Sequence, residues 1–165
     1  MTTTKPPGIV APWLTERGID LARVPIDSIL LQAVSPDDVK FRSGCSLLRS
    51  MSHAGRVEAG VFLLGLLRYY PDDYARLTVI AEALASFPVA ATVHALSSEL
   101  RRVKGSSSTR RYLRRIIDTL EHFPLRLVEE QVEALSTDPQ IGVRIRQHLR
   151  SMTLRDLDAW PPRRE

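Results

Sequence analysis

One stretch of fifteen residues, RRVKGSSSTRRYLRR, holds seven basic residues and no acidic one. Arg101, Arg102 and Lys104 come first. Ser106, Ser107, Ser108 and Thr109 follow, then Arg110, Arg111, Arg114 and Arg115. Guanidinium groups offer planar forks of N–H donors that match carboxylate and phosphate oxygens. Hydroxyls beside them can donate as well. Arg101, Arg102 and Lys104 would close one helix, where cations suit the negative end of the dipole. Arg110 and Arg111 would open the next, where cations oppose it at a cost of a few tenths of a kcal/mol each. Free backbone N–H groups at that helix start add to the donors. The chemistry this predicts is the capture of an anion.

The same residues have a second reading. Arg114 can pair with Asp118 four residues on, and Arg115 with Asp118 three residues on. Glu129, Glu130 and Glu133 can neutralise the remainder, which leaves a solvated charged face. If the site is open, the partner is an acidic or phosphorylated protein segment, bound by the arginine cluster, or the phosphates of a nucleic acid. Tyr112 is the only aromatic residue in the stretch, a poor basis for base stacking.

Other chemistry is thinly represented. His53, His94, His122 and His148 fall on separate segments without ligand partners at helical spacing, so no metal is expected. Cys45, beside Leu47 and Leu48, reads as a small buried thiol, and a single cysteine forms no internal disulfide. KGSSST has one glycine and follows a helix, unlike a phosphate-binding loop. Asp37-Asp38, Asp72-Asp73 and Glu129-Glu130 read as first-turn residues that complement helix dipoles. No cofactor is implied, and the expectation is a non-enzymatic protein.

The elements that would hold the basic stretch are helices. Pro25, Pro71, Pro88, Pro124 and Pro139 punctuate the chain. Trp13 to about Arg23 reads as a short helix, and Ile26–Val34 as another. Ser35-Pro36-Asp37-Asp38 opens a helix to about Ser52, with Gly44 as a weak point. Arg56–Tyr70 is apolar on nearly every side, as a central, covered helix would be. Four stripes at helical spacing follow. They are Leu77, Ile80, Ala81, Leu84 and Phe87; Val89, Val93, Leu96, Leu100 and Val103; Leu113, Ile116, Ile117, Leu120 and Phe123; and Val128, Val132 and Leu135. Ser108 or Thr109 can cap the third. A last helix carries Ile141, Ile145, Leu149 and Met152.

An aromatic residue precedes proline at Tyr70-Pro71, Phe87-Pro88 and Phe123-Pro124, at intervals of 17 and 36 residues. These lengths approximate one helix and a helix pair. With VIAEALASFP, SELRRV and YLRRIIDTLEHFP, residues 36–152 resemble HEAT-type helical repeats. The resemblance implies a short α-solenoid of stacked antiparallel helix pairs that serves binding, and it transfers no catalytic residue. Some bacterial DNA glycosylases resemble such arrays, but here Trp13 and Trp160 lie outside the repeats.

At 165 residues the chain is about one domain long. The expected organisation is a flexible arm over 1–12, a helical repeat domain over 13–152 and a tail over 153–165. Outside the basic stretch the chain holds 16 basic and 19 acidic residues, so this one segment supplies the whole excess of +4. The longest apolar run, Ala59–Leu67, is too short for a bilayer. The start shows no leader pattern, so the expected location is cytoplasmic. Composition thus favours an adaptor for an anionic macromolecule over a membrane or cofactor protein.

Overall fold

The computed structural model describes residues 13–16 and 18–158, with the side chains of residues 14 and 153–158 outside the description. The arm over 1–12 and Trp160 lie outside the described residues as well. The fold is all-α, with eight α-helices and one minute hairpin among the described residues. The helices are α1 (Asp27–Ala33), α2 (Asp38–His53), α3 (Val57–Tyr69), α4 (Tyr74–Ala83), α5 (Ala90–Arg102), α6 (Arg110–Glu121), α7 (Leu125–Thr137) and α8 (Val143–Asp158).

The helix expected from Trp13 to Arg23 is absent. Leu14–Thr15 (β1) pairs antiparallel with Gly18–Ile19 (β2). Gly18 takes φ +114°, a backbone state that costs glycine nothing, and the Thr15 hydroxyl donates to the Gly18 carbonyl at 2.8 Å. Arg56 holds the segment that follows. Its Nη1 donates to the carbonyls of Val24 at 2.7 Å and Leu21 at 3.3 Å.

Helix α2 starts two residues later than Ser35-Pro36 suggests. Asp37 is the cap: it is extended, and its carboxylate accepts from the N–H groups of Val39 and Lys40 at 2.8 and 3.1 Å. Aspartate competes well for this role, and Ser35 instead accepts from the Asp37 N–H. Gly44 is not a weak point. A Cβ there would sit 2.5 Å from the Ala33 nitrogen, so glycine is what lets α2 cross α1 at close range.

Helix α3 is peripheral rather than central. It buries Ala59, Gly60, Leu63, Leu66 and Leu67 but leaves Val57, Val61 and Tyr69 exposed. It packs against α2, α4 and the 3₁₀ turn Leu84–Ser86 (which extends α4), all on one side. Gly60 admits the Phe87 ring, which a Cβ would meet at 2.3 Å.

From α4 onwards the four apolar stripes form the core, except that Phe87 and Val89 are only half-buried. Leu77, Ile80, Leu84, Leu96, Ile116, Leu120 and Leu135 are fully buried. Alternate helices touch: α2 packs on α4, α4 on α6, and α5 on α7, while α8 packs on α7. The Thr119 hydroxyl donates to the Ala81 carbonyl at 2.9 Å and ties α6 to α4. Four points differ from expectation. Neither Asp72 nor Asp73 lies in the first turn of α4, since Asp73 is its cap, and α8 opens at Val143, so Ile141 is buried ahead of it. Helix α7 begins at Leu125, straight after Pro124, so Glu129 and Glu130 fall in its second turn and do not complement the dipole. Helix α8 runs to Asp158, six residues into the expected tail, because no glycine or proline interrupts 143–158.

Candidate functional site: a groove between helices six and eight

The turn before α6 is built by its own hydroxyls. Ser106 Oγ accepts from the Thr109 N–H at 3.2 Å, and Thr109 Oγ1 accepts from the Ser106 N–H at 2.8 Å. This reciprocal pair satisfies N–H groups of the turn that leads into α6. Thr109, one of the two expected residues, holds the cap position of α6, but its side chain caps no N–H of the helix and serves the preceding turn instead. Thr109 is buried and donates to the Lys104 carbonyl at 2.7 Å, while Ser108 Oγ lies 2.9 Å from Ser106 Oγ. Three of the four expected donor hydroxyls thus hold the turn. Ser107 is exposed and lines the groove described below.

The seven basic residues divide into two sets. Arg101 Nε donates to Asp138 Oδ2 at 2.9 Å. Arg102 grips Glu99 with two bonds of 2.8 and 2.7 Å and lies 3.8 Å from Asp72. Arg115 reaches Glu82 on α4 at 3.6 Å, not Asp118 as expected. Tyr112 is fully buried, and its hydroxyl donates to Glu99 at 2.7 Å. Burial, then this hydrogen bond, drives the Tyr112 pKa far upward. These arginines fasten the turns together. Lys104, Arg110, Arg111 and Arg114 form the other set: all are exposed and have no acidic partner among the described residues.

Arg110 and Arg114 line a groove of about 750 Å³ between α6 and the start of α8. Arg144, in the first turn of α8, joins them and is likewise exposed and without an acidic partner among the described residues. Leu113 and Ile117 of α6, with Ile145 and the 59% exposed Val143 of α8, supply the apolar lining. Asp118 and Glu121 lie further along α6 on the same wall, and Glu121 bonds His148 Nε2 across the groove at 2.8 Å.

The structure brings Arg110 and Arg114 to one groove with Arg144, Asp118, Glu121 and His148, which sequence spacing did not join to them. Arg144 follows Gly142 and opens a helix, as Arg110 does. That shared position was the available signal.

Elsewhere, Cys45 is buried, and burial pushes its thiol pKa up to about 12. No cluster of His, Cys, Asp and Glu among the described residues is placed to hold a metal ion. No helix of the described residues is long and apolar enough to cross a membrane. Comparisons of the chain with protein-family models, curated proteins and solved structures return no match.

Proposed function

We propose that this chain is a non-enzymatic binding module, and that its α6–α8 groove takes an anionic segment of a partner protein. One observation carries the reading: Arg110, Arg114 and Arg144, unneutralised among the described residues, ring a groove with an apolar lining. A guanidinium left open at the mouth of an apolar cleft supplies charge-assisted bonds to a carboxylate or phosphate. The lining supplies area for apolar side chains beside it. Contacts between alternate helices, α2–α4–α6 and α5–α7, support the finer reading of a short HEAT-like array whose row opens between α6 and α8.

Nucleic acid is the weaker alternative. Tyr112 is buried and offers no face for stacking a base. Asp118 and Glu121 would repel a phosphate backbone laid along the groove.

The test is fluorescence anisotropy with a labelled Glu- and phosphoserine-rich peptide and with labelled duplex and single-stranded oligonucleotides. The expected result is peptide binding that falls at least about tenfold in the triple variant Arg110→Ala, Arg114→Ala, Arg144→Ala. Tighter binding of oligonucleotides, with a log–log salt slope of about −2.7 or steeper for three or more phosphates, overturns the protein-segment reading.

A further inference from the structure

The charges along the α6 wall of the groove are ordered, not mixed. On α6 the wall reads Arg110, Arg114, Asp118, Glu121, at offsets of 0, 4, 8 and 11 residues. At 1.5 Å per residue the sign changes from positive to negative over about 16 Å. Arg144, on the opposite wall, adds a third positive charge. A uniformly acidic segment laid along α6 would meet attraction at one end and repulsion at the other. A segment with acidic residues at one end and basic residues about seven to eight positions away would meet attraction at both.

The walls also decide the backbone state of the occupant. Along Leu113–Glu121 and Ile145–His148 both walls are helices, whose backbone groups are bonded within the helix, while Gly105, Ser106, Ser107 and Gly142 line the rest. No unpaired strand edge lies in the groove. An extended segment buried there would leave N–H and C=O groups without partners, at about 1–3 kcal/mol each. A helix satisfies its own backbone and offers one apolar stripe to the lining.

We infer that the occupant of the α6–α8 groove is an amphipathic helix of a partner protein, acidic at one end of its docking face and basic at the other. This rests on the reading of the groove as a protein-binding site. The occupant's acidic residues lie against Arg110 and Arg114, and its basic residues against Asp118, with Glu121, which also bonds His148, beside it. Residues seven or eight apart share a helix face, so a single stripe carries both ends.

Four labelled synthetic peptides of about four helical turns test this, all with the same apolar stripe. One has two Glu followed at the stated spacing by two Lys. The second has Glu at all four positions, and the third has Lys at all four. The fourth is the dipolar peptide with two central prolines, which prevent a helix. Anisotropy with the full chain should rank the dipolar peptide first, by about tenfold over the others. With the variant Asp118→Lys, Glu121→Lys, preference should pass to the all-Glu peptide. Equal binding of the dipolar and all-Glu peptides by the unmodified chain overturns the charge order. Equal binding of the proline peptide overturns the helical occupant. Either result leaves the anionic-segment reading standing. Failure of all four peptides, and of the phosphoserine-rich peptide above, overturns both.

Discussion

Arg76 and Arg114 are the same residue type with opposite uses. Arg76, in α4, is largely buried, and every donor face is engaged. Nη1 donates to the Ser35 carbonyl and the Tyr70 hydroxyl, both at 3.0 Å. Nη2 donates to the Pro36 carbonyl at 2.8 Å and to Asp38 at 3.0 Å, and Nε lies 3.4 Å from Asp73. The guanidinium also sits 4.8 Å from the Phe41 ring centre and 5.0 Å from that of Tyr70. It pins the α1–α2 turn to α4 and has nothing left to give a ligand. Arg114 touches no acid among the described residues and faces a groove. A saturated arginine stabilises the fold; an open one at a cleft is available to a partner. The basic stretch contains both kinds within a few residues, Arg101 and Arg102 against Arg110 and Arg114.

Arg76→Met should show the largest effect. It strands the Ser35 and Pro36 carbonyls and should cost about 3 kcal/mol. For a chain of this length that is a fall in Tm of about 6–12 °C by calorimetry. A loss below about 0.5 kcal/mol would remove the contrast with Arg114.

Gly44→Ala tests the same region without touching charge. The new methyl would press on the Ala33 backbone, and denaturant titration should show a loss of about 1–3 kcal/mol.

Tyr112→Phe removes the hydroxyl that holds Glu99 beneath the basic stretch. About 1–2 kcal/mol should be lost by the same method. No loss would mean that Arg102 alone positions Glu99.

Arg110→Ala and Arg114→Ala should each change stability by less than about 0.5 kcal/mol while weakening peptide binding. A large loss of stability instead would place them with Arg76.

The smallest effect concerns Asp138. The Arg101 hydrogen bond, then the Gln140 N–H, holds its carboxyl below the ordinary value of 3.8, and the charge of Arg146 adds to this. A lowered folded-state pKa stabilises the fold above the unfolded value, and that contribution is lost as pH falls through the folded one. Thermal melts of the native chain and of Arg101→Ala should therefore differ at neutral pH and converge below about pH 4. A constant difference down to pH 2 would show that Arg101 acts by packing alone.

Much of the fold was legible because helical burial is local. Leu113, Ile116, Ile117 and Leu120 declare one face of α6 by spacing alone, and they are buried, as is Phe123 just beyond its end. The N-terminal hairpin was not legible. It depends on Gly18 at positive φ, and the segment after it on Arg56, more than thirty residues away from the carbonyls it holds. Nor did an apolar composition show that α3 lies at the edge, since composition does not count neighbours.

The candidate site divides in the same way. The density of charge between residues 101 and 115, the hydroxyl-rich turn and the helices on either side are properties of the sequence itself. Which arginines stay open is not. Arg101 meets Asp138 and Arg115 meets Glu82, partners 37 and 33 positions away, because a carboxylate acts through space over a few ångströms whatever its distance along the chain. Arg144 enters the groove because packing sets the start of α8 beside α6. Residue order set where positive charge is concentrated. Tertiary packing decided which part of it is neutralised and which part faces a cleft.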